Sequence, residues 1–349
     1  MSCEKDDLIF NIGDSVAGYK IVEKIDEGGF GQVFKVVKGE KIYAMKIESN
    51  MQEGGSAIKL EIDVLMELKA KKISNFPMVY QAGKKTKYHF LVMELLGENL
   101  KSLRFKSSNP DSLTPSTWSR IGIQCLYVIK LLHDCGFVHR DIKPSNFAMG
   151  LGNDDVLKGR IVYLFDFGLA RRFVLKYKPQ ENGSNRQRKG FKDVSVCVGI
   201  DEKEPKKEKG SLMERKKTKE ADGKGSKIAP SSKRKIINAS PDASKYEDGT
   251  KSVLGADSNI NAQIYRFRIA RPHTDFRGTQ QYASPNAHAQ IELGRADDVW
   301  SLMYMLAEMT NPLPWALREN EELPIDDLKN QTPLNVLFKD GTDFTMKII

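Results

Sequence analysis

At 349 residues and 40% hydrophobic content, the chain is long enough for one large domain or two small ones and apolar enough to build a core. No apolar run approaches the roughly 20 residues of a membrane helix, and the opening MSCEKDDLIFN lacks the basic flank and apolar stretch of a secretory signal, so the expectation is a cytoplasmic protein with no membrane partner. The net charge of +9 invites a nucleic-acid reading, but residues 176–268 hold 23 Lys plus Arg against 13 Asp plus Glu, which leaves the rest near −1.

In chain order, residues 1–18 read as an N-terminal extension. Strand-like runs follow at Tyr19 to Ile25, Gln32 to Val37, Lys41 to Ile47, Val79 to Gly83 and Tyr88 to Met93, where β-branched and aromatic residues cluster or alternate between Gly and Lys turns. One helix interrupts them, Gly55 to Lys71, with Ile58, Ile62, Leu65 and Leu68 on one face. The spacing thus predicts a β-rich part over 19–96 and a mainly helical part over 97–349. Within the latter, Pro115 to His133 opens on a Ser/Thr/Pro start and carries Ile121, Leu126, Ile129 and Leu132, while Asp298 to Thr310 is a further helix. Asn335 to Ile349 reads as irregular.

The helical part is interrupted by 175–268, rich in Lys, Ser, Gly and Asp and poor in spaced apolar residues; such a composition predicts a disordered insertion. It is either a solvated loop or, through RKK at 215–217 and KRK at 233–235, a nuclear-import or polyanion-binding patch. Cys3, Cys125, Cys135 and Cys197 form no C-x-x-C pair and read as reduced thiols.

The chemistry concentrates in VHRDIKPSNFAMG, Val138 to Gly150, and IVYLFDFGLA, Ile161 to Ala170. Asp141 and Asn146 lie in one turn containing Pro144, so both side chains can converge on one site; Asp166 leaves an apolar strand just before a Gly. Two carboxylates and an amide suit Mg²⁺, a hard cation that keeps water and phosphate oxygens as its other ligands. Lys143 places positive charge where a phosphoryl group would carry developing negative charge.

H-R-D-x-K-x-x-N followed by D-F-G resembles the protein-kinase pattern. The resemblance implies an α+β fold of two lobes, a small β-rich N-lobe and a mainly helical C-lobe, with ATP and Mg²⁺ as cofactors. By it, Asp141 is the base that orients the substrate hydroxyl, Asn146 and Asp166 are the metal ligands, Arg140 anchors the activation segment, and Lys143 marks the serine/threonine version. A kinase also needs a strand lysine and a helix glutamate: Tyr43-Ala44-Met45-Lys46 matches V-A-I-K. Glu61 sits on the apolar side of its helix, where an unpaired acid would be costly, so Lys46 is its expected partner.

In IDEGGFGQVF, Ile25 to Phe34, Asp26 stands where the first glycine of G-x-G-x-x-G-x-V belongs, and Glu27 is expected to point out of the hairpin. Gly28, Gly29 and Gly31 still allow backbone N–H groups to approach phosphates, with Ile25 and Val33 flanking them.

KPSNFAMG, LVMELLGENL, FRGTQQYASPNAH and GRADDVWSLMYMLAEM resemble the casein kinase 1 group and, within it, the tau-tubulin kinase branch, over roughly residues 15 to 174 and 269 to 315. That resemblance implies Met93 as gatekeeper, Glu94 to Leu96 as the adenine-binding hinge, Ala44 beside the base, Thr279 as the link between base and substrate pocket, and Asp298 as the brace of the catalytic loop. Ser284-Pro285-Asn286 stands where other kinases have Ala-Pro-Glu. Gln281 replaces the group's usual Arg, which argues against a preference for phosphorylated substrates. About 34 residues follow Trp315, fewer than the last helices of a kinase large lobe, so a C-terminally shortened lobe is expected.

Three functions fit the sequence. The first is a monomeric serine/threonine kinase acting on proteins, with tubulin, cytoskeletal or other acidic proteins as substrates by analogy. The second is a catalytically weak or inactive kinase-fold scaffold, which Asp26, Gln281 and the short C-terminus support; Lys46, Asp141 and Asp166, which inactive kinases commonly lose, are all present. The third, a nucleic-acid binder, rests on the insertion alone and lacks interleaved aromatic residues.

Overall fold

The computed structural model describes residues 8–28, 31–50, 56–110, 112–152, 156–176, 195–196, 265–316 and 324–338. The N-terminal part is a six-stranded antiparallel sheet: β1 (Ser15–Val16), β2 (Tyr19–Gly28), β3 (Gly31–Lys38), β4 (Lys41–Ser49), β5 (Val79–Lys84) and β6 (Tyr88–Met93). Its spatial order is β1-β2-β3-β4-β6-β5. One helix, α1 (Ala57–Ala70), interrupts it. The strands follow the β-branched and aromatic runs, and every one of the five predicted segments forms. The sheet begins earlier than residue 19, however, because Ser15 and Val16 pair with Lys20 and Tyr19, so part of the supposed extension is structural.

Strand β4 explains how the sheet carries a site. Ala44 to Glu48 are all buried, because this strand is covered on both faces. Met45 and Ile47 join Ile21, Phe34, Val36 and Val92 in a cluster on one side, while Ala44 joins the main core on the other. The period of two therefore points Ala44, Lys46 and Glu48 together toward α1. That helix buries Ile58, Glu61, Val64, Leu65 and Leu68, with Ile62 partly covered. Truncating a side chain as enclosed as Leu65, 1% exposed, to alanine would cost about 2–5 kcal/mol.

The helical part follows. Helix α2 (Leu100–Lys106) is capped by Asn99, whose side-chain oxygen accepts from Ser102 N. Helix α3 (Pro115–Asp134) has Thr114 as its cap and Pro115 at its first position, where a missing N–H costs nothing. Two small antiparallel pairs come next: β7 (Phe137–Val138) with β10 (Arg171–Arg172), and β8 (Phe147–Met149) with β9 (Val162–Leu164). Cys125 and Cys135 are buried and unpaired thiols, as the sequence suggests; Cys3 and Cys197 lie outside the described residues.

Most of the 175–268 segment also lies outside the described residues, and the ordered chain reaches a few residues into its ends. Strands β11 (Val174–Lys176), β12 (Ser195–Val196) and β13 (Tyr265–Phe267) form a three-stranded sheet in the order β11-β13-β12. The two ends satisfy each other's backbone groups by antiparallel pairing of Val174 to Lys176 with Phe267 to Tyr265, and Phe173 stacks on Phe267 at 6.2 Å.

Helices α4 (Pro285–His288), α5 (Arg295–Glu308), α6 (Ile325–Gln331) and α7 (Leu334–Leu337) complete the chain. Helix α5 starts three residues before the expected Asp298, because Asp297 and Asp298 occupy its first turn, where acids favour the helix dipole. Helix α7 falls where an irregular segment was expected: Leu337 and Phe338 are buried in the main core, and burial overrides the weak local pattern. Residues 339–349 lie outside the described set. No helix among the described residues is long and apolar enough to cross a membrane.

Candidate active site

The first group of site residues is ionic. Lys46 on β4, 6% exposed, donates to Glu61 Oε2 on α1 at 2.7 Å and to Asp166 Oδ1 at 2.9 Å. Burial pushes the ammonium's pKa down, but the charges of Glu61 and Asp166 more than offset this, and Lys46 stays protonated above its ordinary range. Burial likewise pushes Asp166 up; the Lys46 charge and hydrogen bond outweigh it and hold the carboxylate below its ordinary value. Asp166 adopts φ 64°, a left-handed conformation that an aspartate tolerates and that aims its carboxylate back at Lys46. The next residue, Phe167, is fully buried between the rings of Phe76 and His139, so the turn is anchored on its apolar side.

The second group sits in the loop between β7 and β8. Asp141 is 7% exposed. Its Oδ1 accepts from Thr279 Oγ1 at 2.8 Å, and its Oδ2 pairs with Lys143 Nζ at 2.8 Å. Lys143 also donates to Thr279 Oγ1 at 3.2 Å. Asn146 Nδ2 donates to the backbone oxygen of Asp141 at 2.8 Å, which ties both ends of the turn. The loop is braced from beneath by Asp298, whose two oxygens accept from His139 N and Arg140 N at 2.8 Å each, with His133 Nε2 at 2.8 Å as a third contact. Gly278 lets Thr279 come this close: at φ 104° a Cβ there would lie 2.7 Å from Arg140 O.

Arg140 reaches the segment after Asp166, its Nε donating to Leu169 O at 2.6 Å. Burial, then the charge of Arg171, draws its guanidinium down to about 10. Lys46, Glu61, Asp166, Asp141, Lys143, Asn146, Thr279 and Asp298 are thus linked in small contact sets on the strands, loops and helices that the sequence named.

The positions that the resemblance assigns to the nucleotide are placed as follows. Ala44 and Met93 are register partners on β4 and β6, both buried. Glu94 follows, its N–H bonded to Met78 O at 2.8 Å, and the chain runs through half-buried Leu96 to Gly97, whose N–H donates to Met149 O. Ile25 is exposed and Val33 half-buried on the β2–β3 hairpin. Gly28 pairs with Gly31 across that hairpin, and Gly29 lies outside the described residues. Glu27 does point outward, held by Lys24 at 2.7 Å and Gln32 at 2.8 Å, and Asp26 turns its carboxylate to Glu27 N.

Several site residues were not anticipated. Asp297 accepts from Ser284 Oγ at 2.7 Å and Gly294 N at 2.7 Å. Glu308 accepts from Gln281 Nε2 at 2.8 Å and Tyr282 OH at 2.7 Å and pairs with Arg104. Lys329 donates to Gln280 O at 2.6 Å and Ala283 O at 2.7 Å. Trp315 Nε1 donates to Gln281 O at 2.9 Å. Gln281 therefore turns its side chain toward α5. Sequence spacing holds no signal for the contacts of Glu308, Trp315 and Lys329 with residues 280 to 283, which lie 26 to 49 positions away.

As a metal site, the donor chemistry fits a partial shell. Among the described residues no group of three or more His, Cys, Asp or Glu converges, so no all-protein cage is built. One carboxylate, Asp166, and one amide, Asn146, suit a cation that draws its remaining ligands from phosphate and water.

The Protein kinase domain model matches residues 19–187. A Caenorhabditis elegans protein provisionally named a serine/threonine-protein kinase is 33% identical over 325 residues, covering 92% of this chain and 67% of the relative. A C. elegans protein named an inactive tau-tubulin kinase is 28% identical over 285 residues, 80% of this chain and 69% of the relative. A third C. elegans protein, provisionally named a casein kinase I, is 38% identical over 153 residues, 43% of each chain. The chain spans under half the length of some relatives it matches. With this fold, these paired motifs and these relatives, the chain belongs to the protein kinase family, among proteins named as serine/threonine kinases.

Proposed function

We propose that this chain is an active serine/threonine protein kinase that transfers the γ-phosphoryl group of ATP to protein hydroxyls. We further propose that it belongs to the casein kinase 1 group, on its tau-tubulin branch. The observation that carries the reading is the joint presence of two intact contact sets, Lys46–Glu61–Asp166 and Asp141–Lys143–Thr279. Phosphoryl transfer asks little covalent chemistry of a protein and depends on positioning and charge.

On this reading Asp141 orients the incoming hydroxyl and takes its proton, while Thr279 fixes the carboxylate's rotamer. Lys143, already 2.8 Å from Asp141, supplies positive charge on the substrate side. Lys46, held by Glu61, supplies it on the nucleotide side. Asp166 and Asn146 would hold Mg²⁺, which when bound neutralises the phosphate oxygens. Ala44, Met93 and the 94–96 hinge would seat adenine, with Ile25, Val33 and the glycines Gly28, Gly29 and Gly31 above the phosphates.

The names of the relatives favour casein kinase and tau-tubulin kinase substrates, so tubulin and casein are the proteins to try. One relative named inactive supports the scaffold as a second reading. The test is transfer from labelled Mg-ATP to casein and tubulin by the chain and by its Asp166→Ala variant. Transfer by the chain that disappears in the variant supports the kinase; equal background in both, with folded protein, leaves the scaffold.

A further inference from the structure

Helix α1 carries Glu61, and Glu61 fixes Lys46; what fixes α1 is then a question for the same site. The expected answer is the residue preceding the helix. Ser56 occupies the cap position, yet its side chain makes no capping bond and its Oγ has no partner among the described residues. The bond comes from elsewhere: Ile58 N in the first turn donates to Glu48 Oε2 at 2.8 Å. Glu48 lies on β4, two residues after Lys46 and on the same face of the strand.

This carboxylate is fully buried, at 0% exposure. Its Oε1 has no hydrogen-bond partner among the described residues, and neither ring nitrogen of His89, its register partner on β6, has one either. A carboxylate kept in such surroundings is expensive, and a sheet that needed only packing would be better served by an apolar residue. What the carboxylate provides is a fixed distance. Strand β4 holds both ends of one short circuit: Lys46 bonds Glu61, and Glu48 bonds the helix start three residues before Glu61. The far half of α1 is tied separately, by Arg172 on β10 to Glu67.

We propose that Glu48 is a positioning residue for the Lys46–Glu61 pair: by capping α1 from the strand that carries Lys46, it sets the depth at which Glu61 meets the lysine, and through it the nucleotide-holding charge. This rests on the kinase reading for its functional consequence, though not for its structural one.

The experiment is a double-mutant cycle on the full chain. Glu48→Leu and Glu48→Gln are each made alone and with Glu61→Ala, and binding of a fluorescent ATP analogue with Mg²⁺ is titrated beside transfer rates. Amide hydrogen exchange is followed over 57–62. Displacing a positioning group by an ångström or so costs about 10- to 100-fold, so Glu48→Leu should weaken analogue binding by about 10-fold or more. Glu48→Gln, which keeps an acceptor oxygen for Ile58 N, should remain within about 3-fold of the parent, while Glu48→Leu in the Glu61→Ala background should add under about 2-fold. Faster exchange at Ile58 in Glu48→Leu completes the expected pattern.

An equal loss from Glu48→Leu in both backgrounds would overturn the proposal, since Glu48 would then act on the fold and not through Glu61. So would unchanged exchange at Ile58. A parent chain that neither binds the analogue nor transfers phosphate would count against the kinase reading, and the exchange of the first turn of α1 would still decide whether Glu48 holds the helix.

Discussion

On the reading proposed above, the nucleotide side and the substrate side of the site are held by different means. On the nucleotide side, charged side chains from a strand, a helix and a loop meet each other directly: Lys46 lies within 2.9 Å of both Glu61 and Asp166. On the substrate side, the loop from Gln280 to Ser284 is gripped largely through its backbone, by Lys329 on the carbonyls of Gln280 and Ala283 and by Trp315 on that of Gln281. Side-chain anchors come from Glu308 and Asp297 on α5. An ion pair depends on two residue types and fails with either; a loop held by its carbonyls depends on donors that the loop's own sequence does not reveal.

The sharpest way to break the contrast is Lys46→Met. It leaves Glu61, 1% exposed, without its ammonium, and stranding one partner of a buried pair costs about 3–5 kcal/mol. We expect phosphate transfer to fall by about 100-fold or more and the melting temperature to drop with it, as read by transfer assay and thermal unfolding.

Next in size is Glu308→Ala, which frees Gln281 and Tyr282 and leaves half-buried Arg104 without this carboxylate. Losing charged hydrogen bonds of this kind costs about 1.5–3 kcal/mol. If the two sides are independent, KM for a protein substrate should rise by about 10-fold while KM for ATP stays within 2-fold. A matching rise in KM for ATP would show that the sides are coupled.

The smallest effect is a pH dependence. Burial, opposed only weakly by Asp326, pushes Lys329 down to about 7 from an ordinary 10.5. Between those values the unfolded chain holds a proton that the folded chain has released, so this residue makes stability rise with pH through that window. Lys329→Met should flatten the rise between pH 7 and about 9.5, below the range where buried Tyr282 and Tyr304 act in the opposite direction. Denaturant unfolding at pH 6, 7.5 and 9 measures it; an identical slope in both proteins would mean that the lysine stays charged in the folded state.

Much of the nucleotide side could be read from the chain because its determinants are local. The alternation of Ala44, Lys46 and Glu48 and the helical spacing of Ile58, Glu61 and Leu65 each need only a few neighbouring residues, and a buried acid demands a base. Asp141, Asn146 and Asp166 were legible for the same reason, as polar residues at fixed places beside apolar strands. The Glu48 cap was visible in principle, two residues after the lysine on the same face, but only its contact with Ile58 N in the fold separates it from an ordinary strand acid.

The sequence by itself determined five strands of the sheet, the single helix beside it and the turns that carry the site, since periodicity and turn residues act within a few positions. Tertiary structure alone decided that Ser15 and Val16 join the sheet, that Val174 to Lys176 and Tyr265 to Phe267 pair across the intervening segment, and that Leu337 and Phe338 enter the core. It also decided that Lys329 and Glu308 hold the substrate-side loop. Those contacts close over long stretches of chain, and their free energy comes from burial and from satisfying backbone groups that no local pattern specifies.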